Sequence, residues 1–387
     1  MLAAVPTPEA TRDATMAASA KYKVLHELGA GGMGKVCKGL LVGQSGFQRP
    51  IVIKRLKTQE PHHVQLFVDE ARRYAVLDHE NIGRIFDFEE VGGELCIILE
   101  HIDGWSLTDY LKRHREHRRL PDVDLSVFIA SRVCRALQYV YERASIVHRD
   151  ISPSNIMMSR EGTVKLIDFG IATRSGTRDS SITGKPSYMA PEMVVELRAD
   201  HRSDIFSLGS VLYEMLTGEK LFSGRTTGEI LEKVIGARIP SPRSANPSVP
   251  QDVAVMVHRA LQRDPSLRFE SAGEMGEACE HYLYDKGYGP TNLTLKHYVT
   301  TLFPDPELVL EPDTTERFPA VATTVIPAGA AAAQTQPLAE GETMVAPLSS
   351  AYARVAAARA ATAITEAGPT IPAEEPKVPP RRKGRKR

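Results

Sequence analysis

The stretch HRDISPSNIM runs from His148 to Met157, and its reading decides what the rest of the chain is. Asp150 follows a cation, Arg149, and precedes an amide, Asn155, by five residues. An Asp in this setting can accept the proton of an attacking hydroxyl, and an Asn oxygen can help hold a divalent cation. Eighteen residues past Asp150, after the apolar run VKLI, comes DFG as Asp168-Phe169-Gly170. A hard cation such as Mg2+ takes oxygen ligands and shares them with substrate phosphates, which suits Asp168 together with Asn155. Two residues after Asp150, where a cation would manage a phosphate's charge, stands Ser152.

Upstream, LGAGGMGKV sets Gly29, Gly31 and Gly34 in a G-x-G-x-x-G pattern closed by Val36. Strand-like residues on both sides predict a hairpin, unlike the strand–helix setting of a dinucleotide fold. Glycines there let backbone N–H groups approach phosphate oxygens with no Cβ in the way. IVIK ends in Lys54, and Glu70 lies sixteen residues further on, within a helical pattern. Taken singly, these are a lysine snorkelling from a strand end and a glutamate on a solvated face. After a Gly-rich hairpin they suggest an ion pair that aims Lys54 at phosphates. APE, Ala190-Pro191-Glu192, completes the series. Each short motif arises by chance; all of them in this order and spacing do not.

The 387 residues leave room for two domains or for one two-lobed domain with tails. A composition 42% hydrophobic and 25% charged is that of a globular protein with a sizeable core. The formal net charge of +0 exerts no global pull toward nucleic acid or membrane. Cys37, Cys96, Cys134 and Cys279 lie far apart, which favours reduced, buried thiols over disulfides or metal ligation. No run approaches the roughly 18 apolar residues of a membrane span. Residues 1–20 lack the basic start and apolar run of a signal peptide, so a cytoplasmic location is expected.

Residues 1–20, rich in Ala, Thr and Pro, read as a flexible arm. From 22 to about 88 the pattern predicts strands around one helix, HHVQLFVDEARRYAVL, with Val64, Phe67, Ala71 and Val76 on its apolar face. Beyond Ser106 helices dominate, most clearly over 127–141, 204–216 and 253–261. A small strand-rich lobe (21–103) before a larger helical one (104–284) is an α+β bilobal plan, with ligands expected in the cleft. Within 285–303, LKHYVTTLF lines up Leu295, Tyr298, Val299, Leu302 and Phe303, a last helix docked on the large lobe. Residues 304–387 are Ala-, Pro- and Thr-rich and are not expected to pack. Their basic end, KVPPRRKGRKR, reads as a solvated tail, with contact to nucleic acid, lipid or an acidic partner as the weaker alternative.

Over residues 22–284 the chain resembles the protein kinase superfamily, most closely the eukaryotic-like bacterial serine/threonine protein kinases. The resemblance implies a bilobal kinase fold and a cytoplasmic signalling enzyme that moves the γ-phosphate of ATP, with Mg2+ or Mn2+, to Ser or Thr hydroxyls of proteins, its own included. Asp150 would be the base, Asp168 and Asn155 the metal holders, and Lys54 with Glu70 the pair that positions phosphates. The ATP site would be lined by Leu28, Gly29, Gly31, Gly34, Val36, Val52, Lys54 and Met157, with Leu99 as gatekeeper and Glu100 to Ile102 as hinge. Asp204, in SDIFSLG, resembles the helix Asp that anchors the catalytic loop, and Glu192 with Arg268 a structural ion pair. Arg149 implies control by a phosphate between Asp168 and Glu192; Ser180, Ser181 and Thr183 lie best for it, among Thr173, Ser175 and Thr177. Thr314, Thr315, Thr323, Thr324 and Thr343 of the tail are further candidate acceptors.

The sequence departs from the family at two positions and, more mildly, at Val52. Ser152 stands where such kinases carry a Lys, and Lys185, in GKPSYMAPE, stands where they carry a Thr. The expectation is an exchange, with Lys185 supplying charge at the γ-phosphate and Ser152 hydrogen-bonding Asp150. An ammonium about 4 Å from an anionic oxygen is worth up to about 4 kcal/mol at an effective dielectric near 20. The alternative is an exposed Lys185 and a pseudokinase, a nucleotide-binding scaffold that recruits partners. A small-molecule phosphotransferase of similar fold is disfavoured by APE and Arg268, which build a protein-substrate platform in the family. Ser152 and Ser154 occupy positions where tyrosine kinases tend to carry Arg, which favours Ser or Thr as acceptor. Val52 replaces a usual Ala beneath adenine and stays apolar.

Overall fold

The computed structural model describes residues 21–31, 34–56, 61–91, 93–169, 173–174, 182–285, 287–304, 323–325 and 343–346. Five strands, β1 (Tyr22–Gly31), β2 (Gly34–Val42), β3 (Gln48–Leu56), β4 (Ile85–Val91) and β5 (Glu94–Glu100), form an antiparallel sheet in the order β1-β2-β3-β5-β4. Alternation along IVIK sends Ile51 and Ile53 to one face, where they pack with Cys37, Cys96, Ile98 and Tyr22. The other face carries Val36 beside Lys54 and Val52 beside Leu99, all half-buried. A Cβ on Gly34 would lie 1.8 Å from the Arg55 carbonyl oxygen, so the close passage of β3 itself demands this glycine. Helix α1 (Pro61–Tyr74) lays Phe67 and Ala71 against Leu56 and Ile97. Its predicted apolar face does not reach Val76, which is 54% exposed. The chain turns at Tyr74, whose carbonyl accepts the Leu77 N–H, and Leu77 enters the core instead.

The larger lobe opens with β6 (Gly104–Ser106), α2 (Leu107–Glu116) and α3 (Val123–Ala144). Short strands follow: β7 (Ile146–Val147), β8 (Ile156–Ser159), β9 (Val164–Leu166), β10 (Thr173–Arg174) and β11 (Ile182–Gly184). They form a β6-β8-β9 sheet and a β7–β10 pair on either side of the catalytic loop. Then come α4 (Pro191–Val195), α5 (His201–Thr217), α6 (Thr227–Gly236), α7 (Pro242–Ala245), α8 (Gln251–Ala260), α9 (Ala272–Tyr284) and α10 (Asn292–Leu302). Helices α3 and α5 start earlier than their apolar windows because Asp122 and Asp200 cap them, accepting the N–H groups of Leu125 and Arg202. Helix α5 is buried almost all round, and its Ser207 and Ser210 hydroxyls satisfy themselves on the carbonyls of Ser203 and Phe206. The result is the α+β bilobal fold expected. All four cysteines are free and buried. Among the described residues, no helix is long and apolar enough to cross a membrane.

Helix α10 docks through Leu295 and Val299, both 0% exposed, while the Phe303 ring stacks on Trp105 at 4.6 Å. Within 304–387, β12 (Thr323–Val325) and β13 (Thr343–Ala346) pair with each other, and β13 pairs antiparallel with β11. Thr-Thr-Val and Thr-Met-Val-Ala are β-prone islands in an Ala/Pro-rich stretch, and β11 offers them an open edge. Replacing Leu295 by Ala should cost about 2–5 kcal/mol of stability in urea denaturation. Leu293→Ala on the same helix, 61% exposed, should stay within about 0.5 kcal/mol of wild type. Equal effects would show that α10 is not held as described.

Candidate active site

The catalytic loop between β7 and β8 is fixed from below. Asp204 of α5 accepts the N–H groups of His148 (2.7 Å) and Arg149 (2.8 Å). Arg149 has φ 71°, a left-handed conformation that costs a non-glycine residue about 1–2 kcal/mol. Burial pushes the Asp204 carboxyl up to about 7, against the pull of the two amide donors. His148 is buried, which lowers its pKa and favours the neutral ring. Its Nδ1 accepts the Asp150 N–H at 3.3 Å, so Nε2 carries the proton toward the Ile167 carbonyl at 3.1 Å.

Asp150, its side chain 8% exposed, is gripped by several donors. Asn155 Nδ2 donates to its carbonyl and to Oδ2, both at 2.8 Å. The Lys185 N–H donates to Oδ1 at 3.2 Å, and Lys185 Nζ lies 3.6 Å from Oδ2. That ammonium is buried and donates to Ser152 Oγ (2.9 Å) and Ser154 Oγ (2.5 Å). The Ser152 hydroxyl accepts from Lys185, while Asn155 and the Lys185 amide donate to the Asp150 carboxylate. Ser154 was not singled out as a partner of Lys185, although its i, i+2 spacing from Ser152 was visible.

Across the cleft, Lys54 Nζ bonds Glu70 Oε1 at 2.7 Å and Asp168 Oδ1 at 2.9 Å. Burial alone would lower the Lys54 ammonium, but Asp168 and Glu70 outweigh it and raise its pKa. Burial would likewise raise Asp168, and Lys54 reverses this, holding the carboxyl at about 2. Glu70 is pushed up, because burial outweighs Lys54 there. The rings of Tyr74 and His148 lie 4.7 and 4.6 Å from that of Phe169, linking α1 to the catalytic loop through the DFG segment. The sequence reading missed this stack. Its one signal was that Tyr74 follows Glu70 by four residues and so shares its helix face.

Leu28, Val36, Val52, Leu99, Ile102 and Met157 are all half-buried, as an apolar site open on one side requires. Nothing lies within 4 Å of a Cβ built on Gly29; Gly31 and Gly34 face each other at the hairpin end. Glu100 is tied by its carboxylate to Lys165 and the Arg84 N–H. Among the described residues, the Ile102 peptide has no backbone partner and can meet a base. The Ile167 N–H bonds the Asn155 carbonyl at 2.9 Å, which brings Asn155 beside Asp168. With Asn155 Nδ2 committed to Asp150, its oxygen, which accepts the Ser154 hydroxyl at 3.1 Å, keeps a second lone pair that a cation could use. No cluster of three or more His, Cys, Asp or Glu suited to a metal occurs among the described residues. The oxygen donors of Asp168 and Asn155 are of the type a hard cation takes.

Buried Arg268 forms a two-point ion pair with half-buried Glu192 at 2.8 and 2.7 Å, and the Ser203 hydroxyl donates to Glu192 Oε1. Arg149 is buried. Thr183 lies in β11, opposite Val345. Ser175, Thr177, Ser180, Ser181, Thr314 and Thr315 lie outside the described residues, as do the arm and the basic tail.

Residues 22–283 match the protein kinase domain family. The chain is 33% identical over 337 residues to "Tyrosine-protein kinase MasK" of Myxococcus xanthus, covering 83% of this chain and 51% of that protein. It is 34% identical over 264 residues to "Serine/threonine-protein kinase PrkC" of Bacillus subtilis, covering 66% and 40% of the two chains. It is 32% identical over 270 residues to "Serine/threonine-protein kinase PknB" of Mycobacterium tuberculosis, covering 66% and 42%. The chain spans about half the length, or less, of these relatives.

With its carboxyl near 2, Asp168 should show no titration step above about pH 3 in a carboxyl-carbon NMR titration. Its folded pKa lies below the ordinary 3.8, so its contribution to stability is complete above that value and is lost as pH falls through about 2. In Lys54→Met, burial is opposed only by the smaller pull of His148 and Lys185, and the midpoint should rise. A midpoint unmoved by that change would show that the Lys54 contact is not what holds Asp168 down.

Proposed function

Since the chain belongs to the protein kinase family, we propose that it is an ATP-dependent kinase of protein serine and threonine hydroxyls, its own included, acting in the cytoplasm. One observation carries the reading: a phosphate-positioning lysine held by two carboxylates, facing a carboxylate base held by an asparagine. The half-buried apolar residues take adenine and the Ile102 peptide its edge. Lys54 meets phosphate oxygens. Asp168 and Asn155 would hold Mg2+, which supplies charge neutralisation between the phosphates. The acceptor hydroxyl bonds Asp150; its oxygen attacks the γ-phosphorus, the bond to the bridging oxygen breaks to leave ADP, and the hydroxyl proton passes to Asp150. The complete set Lys54, Glu70, Asp150, Asn155 and Asp168 supports transfer over a binding-only scaffold. The Glu192–Arg268 pair supports a protein substrate, as such a pair braces the platform on which a polypeptide lies. A phosphate on the segment ending at Glu192, read by Arg149, belongs to the same proposal.

The names of PrkC and PknB, and Ser152 and Ser154 at the positions described, favour serine and threonine; the name of MasK favours tyrosine. Label transfer from γ-labelled ATP with Mg2+, followed by phosphoamino-acid analysis, decides between them. Wild type should label Ser or Thr, and Asp150→Asn should lose about 10²–10⁴-fold in rate. Label on tyrosine would favour the second reading. ATP binding without transfer would leave a scaffold.

A further inference from the structure

We propose that Lys185 is a catalytic residue, whose ammonium meets the γ-phosphoryl group as it moves to the acceptor, and that Ser152 and Ser154 form the seat that aims it. The inference rests on the phosphoryl-transfer reading above and goes beyond it in naming the group that carries the charge beside the base.

A buried ammonium ordinarily has a carboxylate at contact distance, because desolvation is costly without one. Lys54 obeys this rule, with carboxylate oxygens at 2.7 and 2.9 Å. Lys185 does not. Its side chain is 6% exposed, its two short bonds go to neutral hydroxyls, and its nearest carboxylate contact is Asp150 Oδ2 at 3.6 Å. Charge-assisted bonds run at about 2.7–2.9 Å, so the third N–H of this ammonium is only loosely engaged. A buried cation with incomplete anionic company thus stands beside the carboxylate proposed as base. A hydroxyl bonded to Asp150 brings the phosphoryl oxygens it attacks into that neighbourhood, where the site supplies a donor already in place.

The seat is wired to the rest of the site. Ser154 accepts from Lys185 and passes its own proton to Asn155 Oδ1 at 3.1 Å, and Ser152 Oγ lies 3.3 Å from Ser154 Oγ. Two short hydroxyls leave room for a long side chain arriving from another segment. The backbone that delivers it is rigid: Pro186 follows, the Tyr188 N–H bonds the Lys185 carbonyl at 3.0 Å, and the Tyr188 hydroxyl donates to buried Glu214 at 2.6 Å. Its own N–H sits on Asp150 Oδ1. Lys185 therefore touches the base with its main chain and reaches for the phosphoryl group with its side chain.

A brace that merely ties two segments together would use the same bonds, so the test must separate charge from bracing. Four variants of the 387-residue chain are compared with wild type for kcat, KM for ATP, ATP binding and thermal melting: Asp150→Asn, Lys185→Met, Lys185→Thr and the double variant S152K/K185T. The inference expects both Lys185 single variants to lose about 10²–10³-fold in kcat. KM for ATP and ATP affinity should change little, the pattern of an interaction made in the transition state. S152K/K185T, which returns one ammonium to the same place from the other segment, should recover most of the loss. Recovery of kcat with the melting temperature still at the Lys185→Thr value separates charge from bracing, because a restored brace would raise both together. Wild-type kcat in Lys185→Met, or a double variant that folds and binds ATP yet stays as slow as Lys185→Thr, overturns the inference and leaves the kinase reading standing. No transfer by wild type overturns the kinase reading itself, and the inference with it.

Discussion

Asp204 takes the amide protons of His148 and Arg149 at 2.7 and 2.8 Å, and the geometry of the catalytic loop descends from those two bonds. They hold Arg149 at φ 71°, where the chain reverses and delivers Asp150 to the cleft with its carboxylate toward Asn155. The acceptor sits on a helix that is buried almost all round, so the loop inherits the rigidity of the core of the large lobe. His148 adds a second tie through Ile167, the residue before Asp168. Asp168 is itself left-handed, at φ 63°. Two strained residues, each an acid or next to one, are thus kept in place by hydrogen bonds that end on buried groups.

From that fixed loop the site reaches the small lobe by two routes. One is electrostatic: Lys54 shares its charge between Glu70 of α1 and Asp168 of the large lobe. The other is apolar, the contact of Tyr74, Phe169 and His148. Glu70 and Tyr74 lie on one face of α1, so the helix cannot move without disturbing both. Lys54 therefore depends on the position of α1, whereas the backbone that leads into Asp150 is anchored on α5.

Lys185 adds a third dependence, on the segment that carries β11. Its amide and its ammonium both terminate on the catalytic loop, so displacing that segment withdraws a bond to Asp150 and a positive charge together. A lysine borne by the catalytic loop would remain in place through such a movement. Carrying the charge on the neighbouring segment couples the order of that segment to the chemistry. The pairing of β11 with β13 places the same segment in contact with the C-terminal part of the chain.

The sequence alone determined the local structure and the inventory of chemistry. Alternation along IVIK decided which residues face the core and which face the cleft, because side chains on a strand alternate whatever surrounds them. The order of Gly-rich turn, Lys54, Glu70, HRD, DFG and APE named the family and the acids and bases available to it. The exchange of Ser152 and Lys185 was also legible, as two departures from one pattern. Only the tertiary structure decided that the two meet, that Ser154 shares the ammonium, that Asn155 donates to Asp150, that Tyr74 closes a ring contact and that Leu77 displaces Val76 from the core. These outcomes depend on where the chain reverses, and here it does so at Arg149 and Asp168, non-glycine residues whose identity does not announce a positive φ. Periodicity governs neighbours along an element, while contacts across 31 to 114 residues, such as Lys185–Ser154 and Lys54–Asp168, are settled by the packing of the whole core.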